Sequence, residues 1–445
     1  MKQRQWIYTS KETGERFAVK ELSGDTESGQ QLLAVHTGRK RQQILGFGGA
    51  FTDTSAMALM HMSPELQEEA LTAYFDTENG LGYNMGRVPV GGCDFSSVPY
   101  SEDETAGDTA LEDFTIEQDR RGILPLIRAA KEKMREDTEL LLYALPWSPP
   151  GWMKTNGKMN WGGALLPEYY PVMAEYLVKF LRAYDEEGVH FWGMAPQNEP
   201  TEVQRWPSCE YSGVEEQRFL KQYLIPTLGR AGYGNLKLLF WDCNKDLLRS
   251  RAREMLSDPE IYHAVFGAAF HWYSGDYFEE LDAVHEEFPD TQLLSTECCV
   301  VMPEDLQDWS VGERYAHDMI GNFNHWTCAW MDWNLYLDQN SGPGIADNPC
   351  AAPIILDEAR QKVIRMSSYY YVGHFSRYVH RGANVLETEA EMLEGCAFEN
   401  PDGSIAAVLM NRSNATVKGN IFVDGKPYCV ELGPHSIGTL LLERT

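Results

Sequence analysis

The sequence lacks several features that would assign it to a familiar class of protein. No segment approaches 18 uninterrupted apolar residues, so we expect no membrane insertion. The first 20 residues contain no apolar core of the kind that a secretory signal needs, and this predicts a cytoplasmic protein. The nine cysteines include no C-x-x-C pair, so we expect mostly reduced thiols rather than a disulfide framework.

Patterns that bind metals, nucleotides and nucleic acids are also missing. The 11 histidines show no H-x-x-x-H or H-x-H spacing, so neither a metal nor another cofactor is expected. The run "GFGGAFTD" lacks both G-x-G-x-x-G and a phosphate-binding lysine, so its glycines predict close packing instead. Basic residues are scarce, 38 against 66 acidic ones, and the net charge of −28 would repel nucleic acid. This charge is compatible with a neutral small-molecule substrate, while the oligomeric state stays open.

What the sequence does contain is a series of buried-strand patterns. The chain has 445 residues, which is enough for a barrel of about 250 residues and an accessory domain. Eight runs are apolar on both faces, as buried parallel strands are, and helical segments separate them. These runs cover residues 44–52, 83–90, 139–147, 189–197, 236–242, 264–273, 292–297 and 326–334.

Helix start and stop signals lie between these runs. Ser63 and Pro64 suit the N-cap and first turn of a helix. Thr115 with Gln118, and Ser212 with Glu215, have the spacing of capping boxes, and Gly188 would end the helix before it. Eight strand–helix units predict an α/β fold, a (β/α)8 TIM barrel over residues 41–384.

The two ends of the chain differ from the middle. Short strand-like runs occur at both ends, and Asp424-Gly425 is the dipeptide of a tight hairpin turn. We therefore predict that residues 1–40 and 385–445 join into one β-sandwich side domain.

Polar and aromatic residues cluster at the predicted strand ends, where a barrel carries its active site. They include two glutamates, Glu199 and Glu297, on the fourth and seventh strands. Glycosidic bonds are cut by a pair of carboxyl groups, while sugar faces stack on aromatic rings. A single glutamate is usually a solvated surface residue, but two at strand ends with such neighbours favour a sugar-cleaving site. The other residues of this cluster are Asp53, Trp147, Asn198, His271, Trp272, Tyr273, Trp330, Asp332, Trp333 and Asn334.

These residues resemble glycoside hydrolase family 30, a family of retaining β-glycosidases whose best-known members are the glucosylceramidases. The matching strings are "GFGGAFTD", "LPWSPPGWMKTNG", "APQNEP", "HWY", "STECC" and "WMDWNL". They occur in the family's order and span residues 44 to about 350.

The resemblance implies a role for each matching residue. Glu199 would be the acid/base, Glu297 the nucleophile, and Asn198 the partner of the sugar 2-hydroxyl. The remaining matching residues would bind substrate: Asp53, Trp147 and Trp333 would hold the non-reducing sugar, Tyr273 would lie near the nucleophile, and Asn348 would lie at the rim. His271 is placed in the same site, and because the histidines lack metal-binding spacing we expect it to orient a neighbour rather than to bind a metal.

The substrate is less closely defined. An exo-acting β-glucosidase of the glucosylceramidase type, with a place in sphingolipid metabolism, is the first expectation. β-1,6-Glucanase, β-xylosidase and β-fucosidase activities of the same family are the alternatives. The loop "TEVQRWPSCEY" after Glu199 is short, which argues against a mammalian-like ceramide groove, and its Trp206 is a candidate leaving-group contact.

Two rival classes are a metal-dependent barrel hydrolase, which a chelator would inactivate, and a non-catalytic sugar-binding barrel, which would lack one carboxylate. Cys298 and Cys299 directly follow Glu297. We interpret them as small wall residues rather than as redox or metal-binding groups.

Overall fold

A computed structural model describes residues 4–22, 30–345 and 347–443. Parts of the predicted side domain, residues 1–3, 23–29 and 444–445, therefore lie outside the described residues. The strands are Arg4–Ser10 (β1), Ala18–Lys20 (β2), Gln31–Gln43 (β3), Gly46–Ala50 (β4), Met85–Val90 (β5), Leu141–Pro146 (β6), Phe191–Met194 (β7), Lys237–Asn244 (β8), Gly267–His271 (β9), Gln292–Glu297 (β10), Thr327–Asn334 (β11), Tyr336–Leu337 (β12), Ile354–Asp357 (β13), Lys362–Arg365 (β14), Asn384–Ala390 (β15), Glu394–Glu399 (β16), Ile405–Asn411 (β17), Val417–Val423 (β18), Lys426–Leu432 (β19) and Ser436–Leu442 (β20).

Strands β4 to β11 form a closed parallel barrel, as predicted. Seven of the eight apolar runs each contain one whole strand, and the run 236–242 covers β8 except for its last two residues. Their side chains are almost all buried because helices cover the outside. The glycine-rich run lies in β4, where a Cβ on Gly48 would be only 2.0 Å from the carbonyl oxygen of Met85. The prediction of close packing is therefore confirmed.

Helices follow the barrel strands and begin largely where the sequence indicates. Ser212 and Glu215 form a complete capping box, and Gly188 adopts a positive φ of 75° just after a helix end. The capping box predicted for Thr115 is wrong, because that helix begins at Glu117 with Ile116 as its N-cap. The helices are Asp53–Met60 (α1), Pro64–Phe75 (α2), Glu117–Arg121 (α3), Ile123–Lys133 (α4), Tyr170–Glu186 (α5), Gly213–Phe219 (α6), Ile225–Ala231 (α7), Leu248–Leu256 (α8), Pro259–Ala264 (α9), Phe278–Glu287 (α10), Trp309–Asn324 (α11) and Ser367–Ser376 (α12).

Both ends of the chain contribute to the side domain. Strands β1 to β3 pair with β15 to β20 in one sheet, in the order β19-β18-β3-β15-β16-β17-β20-β1-β2. Strands β18 and β19 are joined by the predicted hairpin, with positive φ at Asp424 and Gly425. The sheet folds over its own apolar core. Its two ends come together, since the N–H of Gly433, just after β19, donates a hydrogen bond of 2.8 Å to the hydroxyl of Tyr8 in β1.

Barrel and side domain meet through helices α11 and α12. His374 in α12 lies between the hydroxyls of Thr9 and Thr439, 2.9 Å from each. Burial lowers the pKa of His374 to about 3, so the imidazole is neutral and suits these two neutral partners. In the part of the chain that the structure describes, none of the helices has both the length and the apolar character needed to cross a bilayer.

Candidate active site

Glu297 is the last residue of β10 and lies at the carboxyl end of the barrel. The register between β9 and β10 shifts between Ser295 and Glu297, which is a β-bulge at Thr296. Bulges redirect side chains, and this one places a carboxylate that is only 6% exposed beside the barrel mouth. Arg87 Nη1 and the Tyr273 hydroxyl both donate hydrogen bonds to it, the latter at 2.8 Å.

Glu199 follows β7 and is held by its backbone. Its φ is +46°, an uncommon value for a residue with a side chain. The chain is kept in this conformation because Asn198 N–H donates to Pro146 O and Glu199 N–H donates to Asp242 O, each at 2.9 Å. The segment is thus tied to both neighbouring strands, and the Glu199 carboxyl is directed toward the barrel axis.

The two carboxyl groups lie close together. One oxygen of Glu199, one oxygen of Glu297 and one ring nitrogen of His271 all lie within 4.8 Å of one another. His271 Nδ1 is 3.0 Å from Glu199, and its Nε2 is 3.1 Å from Asp242. Because both ring nitrogens already have carboxylate partners, His271 orients Glu199 and could bind a metal only by giving up one of these contacts.

Arg87, in the middle of β5, forms hydrogen bonds to several of these groups from inside the barrel. It is fully buried, and its Nη2 donates to Asn198 Oδ1 at 2.6 Å and to Asp242 Oδ2 at 2.9 Å. Asp242 reaches it through a bulge in β8, where Trp241 and Asp242 have φ values of 75° and 47°. One guanidinium therefore positions the amide of Asn198 and the carboxylate of Glu297 together.

The charged groups of this network shift one another's pKa values. Burial alone would lower the pKa of His271, but the carboxylates of Glu297, Asp242 and Glu199 raise it to about 10. Burial alone would raise the pKa of Asp242, but Arg87 and His271 hold it well below its usual value. Arg87 and His271 therefore place positive charge among the buried carboxyl groups of the site, as buried charges require.

A cavity of about 370 Å³ opens above this network. Ten residues have a site role predicted from the sequence, and the structure brings eight of them to the lining; His271 and Asp53 are the two that it does not. The other residues predicted at strand ends, Trp272, Trp330, Asp332 and Asn334, do not line the cavity either. The lining residues are Asp94, Trp147, Asn198, Glu199, Glu202, Gln204, Trp206, Asn244, Tyr273, Glu297, Cys299, Val300, Val301, Trp333, Asn348, Pro349 and Cys350.

Aromatic rings form part of the cavity wall. The indoles of Trp147 and Trp333 are stacked with their centroids 5.0 Å apart. The Arg87 guanidinium carbon lies 4.6 Å from the centre of the Trp147 ring and 5.2 Å from that of Trp333. These contacts hold the two indoles rigidly beside the charged network, where they offer an apolar surface to a sugar ring.

Asp53 lies elsewhere, at the start of α1. Its carboxylate accepts hydrogen bonds from the backbone and the hydroxyl of Ser97, the first at 2.8 Å. Asp94, which the sequence analysis did not single out, lines the cavity instead. Its Oδ2 accepts a hydrogen bond of 2.9 Å from Asn348, while Oδ1 is buried and has no protein partner.

Burial raises the pKa of Asp94 to about 7, with Glu297 adding to the shift. A buried carboxyl oxygen without a partner at a cavity wall is suited to a ligand hydroxyl.

Sequence reasoning also missed Arg87 and Asp242. Both interrupt apolar strands, "MGRVPV" and "KLLFWDCN". A charged residue is rarely buried without a partner, so a charge inside such a run is the signal that could have identified them. Their partners could not be named because they lie 155 residues apart in the chain.

Comparison with known proteins places the chain in a family. Residues 44–379 match the glycosyl hydrolase family 30 TIM-barrel domain, and residues 382–440 match the glycosyl hydrolase family 30 beta sandwich domain. The lysosomal acid glucosylceramidase of Mus musculus is 35% identical over 93% of this chain and 84% of its own.

Two solved structures are similar over nearly the full length. SrfJ from Salmonella typhimurium has a TM-score of 0.95 and 33% identity, with 100% of both chains covered. The endo-β1,6-glucanase BT3312 has a TM-score of 0.88 and 26% identity, with 99% of both chains covered. The predicted barrel with its β-sandwich is thus confirmed.

Proposed function

The chain belongs to glycosyl hydrolase family 30 and is a glycoside hydrolase, and we propose that it is a retaining enzyme that removes terminal β-glucosyl residues. One observation supports the retaining mechanism above all: oxygens of Glu199 and Glu297 lie within 4.8 Å of each other. Retaining glycosidases hold their carboxyl groups about 5–5.5 Å apart, whereas inverting enzymes leave about 6.5–9.5 Å for a water molecule.

In this proposal Glu297 attacks the anomeric carbon. The hydrogen bonds from Arg87 and Tyr273 hold its carboxyl group in a fixed orientation for this attack. Glu199 protonates the leaving oxygen and then, as a carboxylate, removes a proton from the water that releases the sugar. His271 holds Glu199 in place for both steps.

Asn198 and Asp94 are proposed to hold the sugar. Since Asn198 Oδ1 accepts from Arg87 and Asn198 lines the cavity, the Nδ2 amino group of the same amide is available to donate to the 2-hydroxyl. The partnerless oxygen of Asp94 can accept from another sugar hydroxyl. Together with the rings of Trp147 and Trp333, these groups suit one pyranose.

The size of the cavity supports exo action. A volume of about 370 Å³ is near the lower end of the range of roughly 300–1,000 Å³ for small-molecule sites. A hydrogen bond joins Asp94 to Asn348 across one wall. These features favour a site for one sugar and part of a leaving group over a long open groove.

A β-1,6-glucoside is the second candidate substrate. BT3312, a similar structure, is an endo-β1,6-glucanase. Beyond Glu199 the lining contains Glu202, Gln204 and Asn244, whose polar groups could bind the hydroxyls of a second sugar. The mouse relative is a glucosylceramidase, and a glucosylated lipid is the corresponding alternative.

A panel of nitrophenyl glycosides tests the proposal. It contains the β-glucoside, β-xyloside, β-fucoside, β-galactoside and α-glucoside, each with and without EDTA. We expect the β-glucoside to be hydrolysed fastest and equally in both conditions. Preference for another sugar would overturn the proposed specificity, and loss of activity with EDTA would favour a metal-dependent hydrolase.

A further inference from the structure

Two cysteines face each other in the wall of the active-site cavity. Cys299 follows β10 two residues after Glu297, and Cys350 comes two residues after Asn348. Their sulfur atoms are 2.9 Å apart, and both side chains line the cavity while being less than 10% exposed. The two thiols thus connect the segment behind the nucleophile with the loop that carries Asn348.

The backbone holds these two segments side by side. Ala351 N–H donates to Val300 O at 2.9 Å, and Met302 N–H donates to Pro349 O at 2.6 Å. Val301 and Cys350 also form an isolated antiparallel bridge. The sulfur contact therefore belongs to a small ladder rather than to two mobile loops, and a disulfide of about 2.05 Å would need the sulfurs to approach by less than about 1 Å.

We propose that Cys299 and Cys350 form a reversible disulfide in the cavity wall, with a peroxide as oxidant and a small dithiol as reductant. From the sequence alone Cys299 is a small wall residue, and the position of Cys350 changes that interpretation. The inference does not depend on which sugar the enzyme prefers.

The chemistry needs two steps. The Cys299 sulfur attacks one oxygen of hydrogen peroxide, the O–O bond breaks, and the released hydroxide takes up the proton of the Cys299 thiol, which gives a sulfenic acid and one water. The Cys350 sulfur then attacks the Cys299 sulfur, the S–O bond breaks, and the proton of Cys350 leaves with the hydroxyl group as water. Overall, two thiols and one peroxide give one disulfide and two waters.

The two thiols differ in their surroundings. The hydrogen bond with Cys299, together with burial, holds the pKa of the Cys350 thiol well above its usual value. The Cys299 sulfur lies 3.6 Å from the Tyr273 hydroxyl in the cavity wall, and we assign it the first reaction with the oxidant.

The disulfide would protect the catalytic centre. The Tyr273 hydroxyl is 3.6 Å from the Cys299 sulfur and 2.8 Å from Glu297. A bulky group attached to Cys299 would displace this tyrosine and fill the cavity. A disulfide with Cys350 removes the thiol without adding any atom to the cavity, so the oxidised enzyme should resist reagents that inactivate the reduced one.

Peptide mapping and alkylation test the proposal on the full chain. After treatment with hydrogen peroxide, we expect a cross-linked peptide pair containing Cys299 and Cys350, lighter by two hydrogens and released by dithiothreitol. N-Ethylmaleimide should abolish most of the glycosidase activity of the reduced protein and little of that of the oxidised protein. Mapping needs no substrate, so its outcome is separate from that of the glycoside panel.

Variants make the test specific. Peroxide should no longer protect Cys350→Ser from N-ethylmaleimide, whereas Cys429→Ser, altered in β19 of the side domain, should behave like the wild type. Cys299→Ser is the second variant, and its residual activity should be insensitive to N-ethylmaleimide. The inference would be overturned by a disulfide between Cys298 and Cys299, or by the absence of any disulfide at Cys350. It would also be overturned if peroxide protected Cys350→Ser from N-ethylmaleimide as well as it protects the wild type.

Discussion

Arg87 shows how one buried side chain can organise a whole site. It contacts Glu297, the proposed nucleophile, the amide of Asn198 beside the proposed acid/base, and Asp242. A lysine could not make these contacts together, because it presents a compact charge rather than a planar fork of donors. The placement of Glu297 and Asn198 is therefore a property of the barrel interior rather than of the loops around the mouth.

Replacing Glu199 should separate substrates by their leaving groups. In Glu199→Ala, hydrolysis of alkyl glucosides or oligosaccharides should fall by about 10²–10⁴-fold, because the leaving oxygen is no longer protonated. A dinitrophenyl glucoside, whose leaving group needs no acid, should lose far less in its glycosylation step. Steady-state and pre-steady-state rates on both substrates would measure the difference.

Glu202→Gln is the matched control, since Glu202 also lines the cavity. It should affect both substrates to a similar extent. If Glu199→Ala slowed both substrates equally, Glu199 would not be the acid.

Asp94 and Asp53 provide a second comparison at this scale. Asp94→Ala should raise KM for a β-glucoside by about 5–150-fold, which corresponds to losing a hydrogen bond of roughly 1–3 kcal/mol. Asp53→Ala should lower Tm with a smaller change in KM, because Asp53 bonds to Ser97 rather than facing the cavity. Measuring KM and Tm for both variants tests this comparison. A larger rise in KM for Asp53→Ala than for Asp94→Ala would contradict the site described here.

At the scale of elements, a helix cap offers a test of stability. Ser212→Ala removes the capping box of α6 and should destabilise the protein by about 1 kcal/mol. Thr115→Ala should cost less, because Thr115 accepts only one long bond of 3.2 Å, from Glu117, and caps no complete box. Thermal melts at matched scan rates would compare the stability of the two variants. Equal losses of stability would show that the capping box adds nothing beyond a single side-chain contact.

The two caps also show what could be predicted from the sequence. The eight barrel strands were predictable because each must be apolar on both faces, and the Ser212 box was predictable because its partner is three residues away. The Thr115 spacing failed because Gln118 instead points toward Asp53, 3.4 Å away, a contact between distant segments. Asp94 was missed because its position also depends on contacts between distant segments. The conformation of the loop after β5 determines whether Asp94 or Asp53 reaches the cavity.

At the scale of the whole molecule, buried carboxyl groups should make stability depend on pH. Burial, reinforced by Asp119, raises the pKa of Glu102 from 4.5 to about 8. The folded protein therefore binds a proton that the unfolded chain releases, and this contribution is complete below pH 4.5 and is lost as the pH rises toward 8. Tm should fall between pH 5 and 8.5.

Glu102→Gln should flatten this decline, because a glutamine can still accept from Gly91 and donate to Tyr176. Glu112→Gln, which removes the same charge from an exposed position, should leave the slope almost unchanged. Parallel slopes for Glu102→Gln and the wild type would show that Glu102 is ionised in the folded protein.

A retaining mechanism at this site requires Glu297 to form a covalent bond to the sugar. The most direct measurement is to treat the protein with a 2-deoxy-2-fluoro-β-glucosyl donor carrying a dinitrophenyl leaving group, and to map the labelled peptide by mass spectrometry. We predict one fluoroglucosyl group per chain, attached to Glu297. A label on any other residue, or an enzyme that turns over β-glucosides but never accumulates a label, would contradict the assignment of Glu297 as nucleophile.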